Sequence, residues 1–264
     1  VTNLTNQEIQ RYAPSCFAGQ AHESRSSRYT FLPTIDVIDG LRDAGFHPVM
    51  ACQSRTRVAG KQFFTKHMLR FRSTDQTAIT VGDSLLETVL VNSHDGTSSY
   101  QVMLGVFRLV CSNGMIVGDT FDSVKVRHVG NIVEDVVNAT ANLLSNAPKL
   151  MELINIWRSI MLTTAEQLAF ATAAHQLIFT EGSNMAQAIT PDRLLAVRRG
   201  GDQGSDLYTT FNRVQEAAVR GGIRGNRLPG MNRLRSRSVE SIDRNVNLNK
   251  SLWTLAEEMA KIKG

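Results

Sequence analysis

The stretch ETVLVNSHDGTSSYQVMLGVFRLV, residues 87–110, decides the fold class. Glu87 to Val91 and Tyr100 to Val110 are rich in β-branched, aliphatic and aromatic residues, the composition of strands. Ser93-His94-Asp95-Gly96 between them is turn chemistry, because Ser and Asp side chains bond nearby backbone and Gly accepts positive φ. Two extended runs joined in this way pair antiparallel. The signature continues on both sides. Downstream, Ser112-Asn113-Gly114 separates this pair from Met115 to Val117, and Ser123 to His128 is a further extended run. Upstream, Val49 to Gln53 and Gln62 to Phe71 are extended, with Ala59-Gly60 as a hairpin turn between basic flanks. A meander is the simplest topology. Asp36 to Ala44 breaks the pattern: Val37, Ile38 and Leu41 recur at helical spacing, Thr34 can cap the helix and Gly45 can stop it.

Near residue 130 the apolar pattern switches to helical period. Thr163 followed by Glu166 forms a capping box, and Thr190-Pro191 supplies a cap with proline at the first helical position. Leu207, Phe211, Val214 and Ala218 share one face of a helix that stops at Gly221-Gly222. Leu252, Leu255, Met259 and Ile262 repeat the pattern near residue 264. The expectation is an α+β fold in which an antiparallel sheet of the N-terminal half is packed by helices of the C-terminal half. Residues 1–130 form the β-rich part with a basic hairpin, residues 131–264 the mainly helical part, and together they make one composite domain.

Hydrophobic residues at 42% suffice for a sizeable core, which excludes a disordered chain. No run approaches the roughly 18 apolar residues of a membrane span. The opening VTNLTNQEIQ lacks the layout of a signal peptide, so a cytoplasmic protein is expected. Cys16, Cys52 and Cys111 are odd in number and far apart, which argues against a disulfide scaffold. Cys111 reads as a small buried hydrophobe.

Catalytic chemistry leaves few traces. His22, His47, His67, His94, His128 and His175 never pair at metal-ligand spacing, and HExxH, GxSxG and Walker-type sequences are absent. His94-Asp95 places an imidazole beside a carboxylate, but in a turn whose residue types already have a structural reason. No catalytic residue, metal or cofactor is expected, nucleotide cofactors included.

Charge is more telling. The chain carries a net +5, yet from Arg213 to Arg237 seven arginines face Glu216 alone, a local excess of six. Arg233, Arg235 and Arg237 alternate with Leu234 and Ser236, so an extended backbone puts all three guanidiniums on one face. Arg224 and Arg227 lie close by, among glycines that let the segment conform to a ligand. A second basic set, Arg55, Arg57, Lys61, Lys66, Arg70 and Arg72, lines the early hairpin and is interleaved with Phe63, Phe64 and Phe71. Cations that track phosphates beside rings that stack on unpaired bases are what a single-stranded nucleic-acid site needs.

Asn92-Ser93-His94-Asp95-Gly96, followed by Phe107-Arg108-Leu109-Val110-Cys111-Ser112-Asn113-Gly114, resembles the phage/plasmid-related family of unknown function. Phe31-Leu32-Pro33-Thr34 with Gly45-Phe46, Arg127-His128 with Asn131, and Ser241-Ile242-Asp243-Arg244 through Leu252-Trp253-Thr254-Leu255-Ala256 extend the likeness over nearly the whole chain. The family carries no established activity. In organisation the chain is similar to single-strand annealing proteins of the RecT, Redβ and Erf type, which implies an ATP-independent homo-oligomer, a ring or filament, that binds single-stranded DNA during phage or plasmid recombination. Two other readings stay open: a non-catalytic protein that binds a host factor, and a metal-dependent nucleic-acid hydrolase using the His94-Asp95 turn with His128.

Overall fold

The computed structural model describes residues 3–23, 31–74, 80–81, 84–108, 114–116, 123–126 and 130–263. The fold is α+β, and the chain divides into two compact units, Val1–Pro148 and Lys149–Gly264.

The first unit is built on one sheet. Its strands are β1 (Phe46–Gln53), β2 (His67–Ser73), β3 (Thr80–Val81), β4 (Ser84–Asn92), β5 (Tyr100–Arg108), β6 (Gly114–Ile116) and β7 (Ser123–Val126). The order is β1-β2-β4-β5-β6, with β3 on β4 and β7 on β5, and every pairing is antiparallel. The decisive stretch forms β4 and β5 as its pattern predicts, in register from Ser84↔Arg108 to Val91↔Gln101. β6 and β7 share the outer edge of β5, one opposite Gly105–Phe107 and the other opposite Tyr100–Met103.

Strand alternation sorts side chains to two faces. Leu69, Phe71, Leu90, Val102 and Leu104 lie on the face that also carries His67, and all are buried. Helix α2 (Thr34–Asp43) packs on β1, and helix α3 (Ile132–Leu144) packs on β5, β7 and α2. The two helices approach so closely at Gly40 that a Cβ there would stand 2.4 Å from Val133 Cγ1. Composition changes at residue 130, but the first unit runs on to 148, because α3 turns its apolar residues Ile132, Val136 and Leu143 inward. A short helix α1 (Asn6–Tyr12), closed by a Thr5–Glu8 capping box, docks on β1.

The second unit contains α4 (Ala147–Ser159) from Lys149 onward, with α5 (Thr164–Ile178), α6 (Asn184–Ala188), α7 (Leu207–Arg220) and α8 (Ile242–Lys263). Its centre is aromatic. Trp157, Trp253, Phe211 and Phe170 are fully buried, with ring centroids 4.5 Å apart for the two tryptophans and 5.9–6.5 Å for their contacts with and through Phe211. Large rings at such offsets add about 0.5–1.5 kcal/mol per pair beyond their burial. The Thr163–Glu166 capping box starts α5, and Gly221 stops α7, both as the sequence indicates. Along α8, Leu252 is buried whereas Ile262 is 79% exposed. No helix among the described residues is long and apolar enough to cross a membrane.

Local details depart from the sequence reading. The run expected from Gln62 to Phe71 becomes a strand only at His67; Lys61–Phe63 is a 3-10 turn entered through Gly60 at φ 78°. β1 and β2 are therefore joined by residues 54–66 rather than by a tight turn at Ala59-Gly60. Thr34 is the first residue of α2 and Pro33 occupies the cap position, because the Thr34 hydroxyl is engaged elsewhere. Thr190 makes no side-chain cap, and Pro191–Leu195 is a 3-10 turn. Cys111, Ser112-Asn113 and His128 lie outside the described residues.

Candidate nucleic-acid interface

The arginine-rich segment of the second unit is a two-armed loop. After Gly221 the chain runs out and back with Gly222 N donating to Ser236 O (2.8 Å), Ser236 N to Ile223 O (2.9 Å) and Gly225 N to Leu234 O (2.9 Å). Arg224 and Arg235 form an antiparallel bridge. Leu228-Pro229-Gly230-Met231 closes the tip, with Met231 N on Leu228 O and Gly230 at φ 71°, the arrangement that proline followed by glycine favours. The loop is anchored by Asn226 N on Ala188 O and by the Arg193 guanidinium, which donates to Arg224 O and Asn226 Oδ1. Gly221, at φ 63°, is required here: a Cβ would stand 2.4 Å from the Arg237 carbonyl group.

Alternation decides what the loop displays. Ile223, Gly225 and Ser236 are buried and Leu234 half-buried, while Arg224, Arg233, Arg235 and Arg237 are exposed. The Arg224–Arg235 bridge puts both arms in register, so these four guanidiniums leave from one face. Arg227 is exposed beside the tip. Among the described residues the side chains of Arg224, Arg227, Arg233 and Arg237 have no hydrogen-bond or ion-pair partner, and Arg235 Nε donates to Gly222 O (3.2 Å).

A second cluster, which sequence reasoning missed, sits at the base of the loop. Glu216, with a side chain 7% exposed, accepts Arg199 (Nη2, 2.9 Å) and Arg220 (Nη1, 3.2 Å), while Arg198 donates to Gly221 O (2.9 Å). Burial opposes ionisation of Glu216, yet the hydrogen bond and charge of Arg199, with Arg220 and Arg198, hold its carboxyl below the usual range. The Arg198 guanidinium is pushed down by burial and by the neighbouring Arg220, Arg235 and Arg199 against the attraction of Glu216. Three guanidiniums, Arg198, Arg199 and Arg220, thus share one carboxylate, and the residual field is positive. The doublet Arg198-Arg199 before Gly200-Gly201 was the available signal. Arg213, counted with the arginine-rich segment, holds backbone in place instead, since it is buried and donates to the carbonyls of Asp202 and Gly204.

The first unit distributes its basic set differently. Arg55 and Arg57 are exposed in the β1–β2 connection, and Phe63 beside them is 50% exposed. Phe64 is half-buried with its ring edge-on to His22 at 5.3 Å. Lys61 reaches Asp95 (3.3 Å), and Lys66 is buried. Arg70 and Arg72 project from one face of β2, as their spacing predicts, but onto the fully buried Glu87 of β4. Arg70 Nε and Arg72 Nη2 each lie 2.6 Å from its carboxylate, and the Arg70 guanidinium stacks 3.5 Å from the Phe107 ring centroid. Both guanidiniums are thus engaged by one carboxylate on the sheet, which offsets half of their charge. Only Arg55, Arg57 and Phe63 of this set face outward.

The turn that carries His94 and Asp95 belongs to a buried polar cluster centred on Thr34 Oγ1. His67 Nε2 (2.9 Å), His94 Nε2 (3.0 Å), Asn92 Nδ2 (3.1 Å) and Tyr100 Oη (3.3 Å) converge on it. One proton assignment satisfies the three contacts made by nitrogen atoms. His67 Nδ1–H is shared by Ser15 Oγ and Thr65 O, so its Nε2 accepts from the threonine hydroxyl, which in turn accepts from Asn92 and His94, while Tyr100 donates to Leu32 O. Burial, then the neighbouring His94, lowers the His67 pKa to about 3. Asp95 turns away to bind Thr97 N and Oγ1 (3.0 and 2.6 Å). Burial opposes its ionisation, but these bonds with Ser93 and Lys61 keep the carboxyl below its ordinary range. The cluster ties α2 to the sheet. Among the described residues no group of three or more His, Cys, Asp or Glu side chains could hold a metal ion.

Comparisons with known proteins set this geometry in a family. The chain is 41% identical over 256 residues to UPF0380 protein YafZ of Escherichia coli strain K12, covering 97% of this chain and 91% of that protein. UPF0380 protein YfjQ of the same strain matches with the same identity and coverage. No solved structure matches, so the organisational likeness to RecT, Redβ and Erf gains no support from one. Residues 21–253 match the description "Domain of unknown function (DUF932)", and with most of its length inside that match the chain belongs to the DUF932 family.

Proposed function

We propose that the protein binds single-stranded nucleic acid, DNA in the first instance, through the arginine loop of its second unit, and that it promotes annealing of complementary strands without ATP. The observation that carries the reading is the row of exposed guanidiniums at Arg233, Arg235 and Arg237 with Arg224 across from them, none of which meets a carboxylate among the described residues. Self-repelling charges held on one face are stabilised by anions. Alternate residues of an extended strand are about 6.6 Å apart, close to the repeat of phosphates along an extended single strand. The Glu216 cluster adds field at the loop's base, and in the first unit Arg55, Arg57 and Phe63 offer further cations and one ring. Arg70 and Arg72, satisfied by Glu87, support the sheet in this reading.

Contacts to phosphates and ring faces predict binding without strong sequence preference and tighter to single strands than to duplex. Annealing needs alignment over more nucleotides than one loop can hold, so the same proposal includes a homo-oligomer, a ring or filament, with repeated loops. Titration of a fluorescent single strand, with duplex and polyphosphate as competitors, tests the binding, and sedimentation with and without the strand tests the assembly. Failure to bind any of these polyanions refutes the proposal; a strict monomer in both states removes annealing from it.

A further inference from the structure

A cleft of about 340 Å³ opens in the second unit where the arginine row ends at Arg237. Its volume falls within the roughly 300–1,000 Å³ of ligand pockets. Ala217 and Ala218 of α7 and Val239 give it apolar lining, the half-buried Phe179 borders it, and Ser183 and Ser236 line it as well. Arg237 and Arg244 stand at the lip with Ser238 between them in sequence. Arg244 Nη2 donates to Ile178 O (2.9 Å), which orients that guanidinium, and among the described residues neither arginine touches a carboxylate.

We propose that this cleft accepts one unstacked nucleobase of a strand whose phosphates follow the arginine row. The inference rests on the nucleic-acid reading and adds to it a site for the base. Chemistry commits the occupant. Two guanidiniums without acidic partners belong to a cleft that aliphatic side chains and Phe179 also line, which suits a flat, weakly polar ring with an anion on either side. An acidic peptide would use the lip and leave the apolar lining uncovered, and a lipid chain would need a longer channel. A nucleotide uses both. Ser238 can donate or accept, so the base identity is left open while its presence is recognised.

The test compares a single-stranded oligodeoxynucleotide with an abasic phosphodeoxyribose oligomer of equal length and charge, both against the full chain. The base-bearing strand is expected to bind at least about fivefold more tightly, the lower end of what one stacked base contributes. Ala218→Leu narrows the cleft and Ser238→Leu crowds it from an exposed position without offering a ring for stacking, so the second variant keeps the test valid if the first does not fold. Each is expected to erase the difference between the two oligomers while leaving affinity for the abasic chain unchanged. Equal binding of both oligomers to the unmodified protein, or a difference that survives in both variants, overturns the base site with the polyanion reading intact. If neither oligomer binds, the polyanion reading falls and the base site with it.

Discussion

Replacing Arg233, Arg235 and Arg237 together by alanine removes three of the five exposed arginines of the loop and touches no packing. Their side chains are exposed, and the one bond lost is that from Arg235 Nε to Gly222 O, so stability is expected within about 0.5 kcal/mol of the unmodified protein. Binding responds quite differently. If Arg224, Arg227, Arg233, Arg235 and Arg237 each neutralise one phosphate, log affinity falls against log salt with a slope of about −3.5, at about −0.7 per phosphate for a single strand. A fourfold rise in salt then weakens binding about 130-fold. The triple variant keeps two contacts, its slope drops to about −1.4, and the same rise costs only about sevenfold. Fluorescence anisotropy at about 50 and 200 mM salt measures both slopes, with far-UV circular dichroism to establish folding. A folded triple variant with an unchanged slope refutes the assignment of phosphates to this row.

Glu87→Ala should destabilise the chain by about 3–5 kcal/mol in urea unfolding, because it leaves the largely buried Arg70 and Arg72 guanidiniums without the carboxylate they share; an unchanged midpoint would show that this carboxylate contributes nothing. His67 is neutral in the fold with a pKa of about 3, against about 6.5 when unfolded, so its contribution is complete above pH 6.5 and is lost as pH falls from there toward 3. Stability should therefore drop by up to about 1.4 kcal/mol per pH unit between pH 6 and 5. His67→Gln should flatten that slope, and equal slopes in the two proteins would contradict the buried-imidazole assignment. Gly221→Ala forces a Cβ against the Arg237 backbone at positive φ and should cost more than about 1 kcal/mol while lowering strand affinity; melting and anisotropy together check it.

Features governed by neighbours in sequence were legible. The β4–β5 pair, the Thr163 capping box, the stop at Gly221 and the one-faced row of Arg233, Arg235 and Arg237 all follow from spacing alone. What escaped depends on partners distant in the chain. Arg70 and Arg72 look like solvent-facing cations until β4 pairs with β2 and brings Glu87, 15 to 17 residues away, beneath them. Thr34 has the composition of a cap, but two imidazoles claim its hydroxyl. The Glu216 cluster draws Arg199 from a segment 17 residues upstream, where only a doublet of arginines hinted at it.

The Thr34 cluster also bears on how the first unit comes together in time. Its hydroxyl meets partners 33, 58, 60 and 66 residues further along the chain, whereas β4 and β5 pair across a short turn. Loop-closure entropy delays contacts of such separation, so local hairpins form first and the threonine contacts close last. On a ribosome the order is stricter still. Thr34 leaves the exit tunnel ahead of every one of these partners, and a nascent chain that ends before Tyr100 cannot complete the cluster.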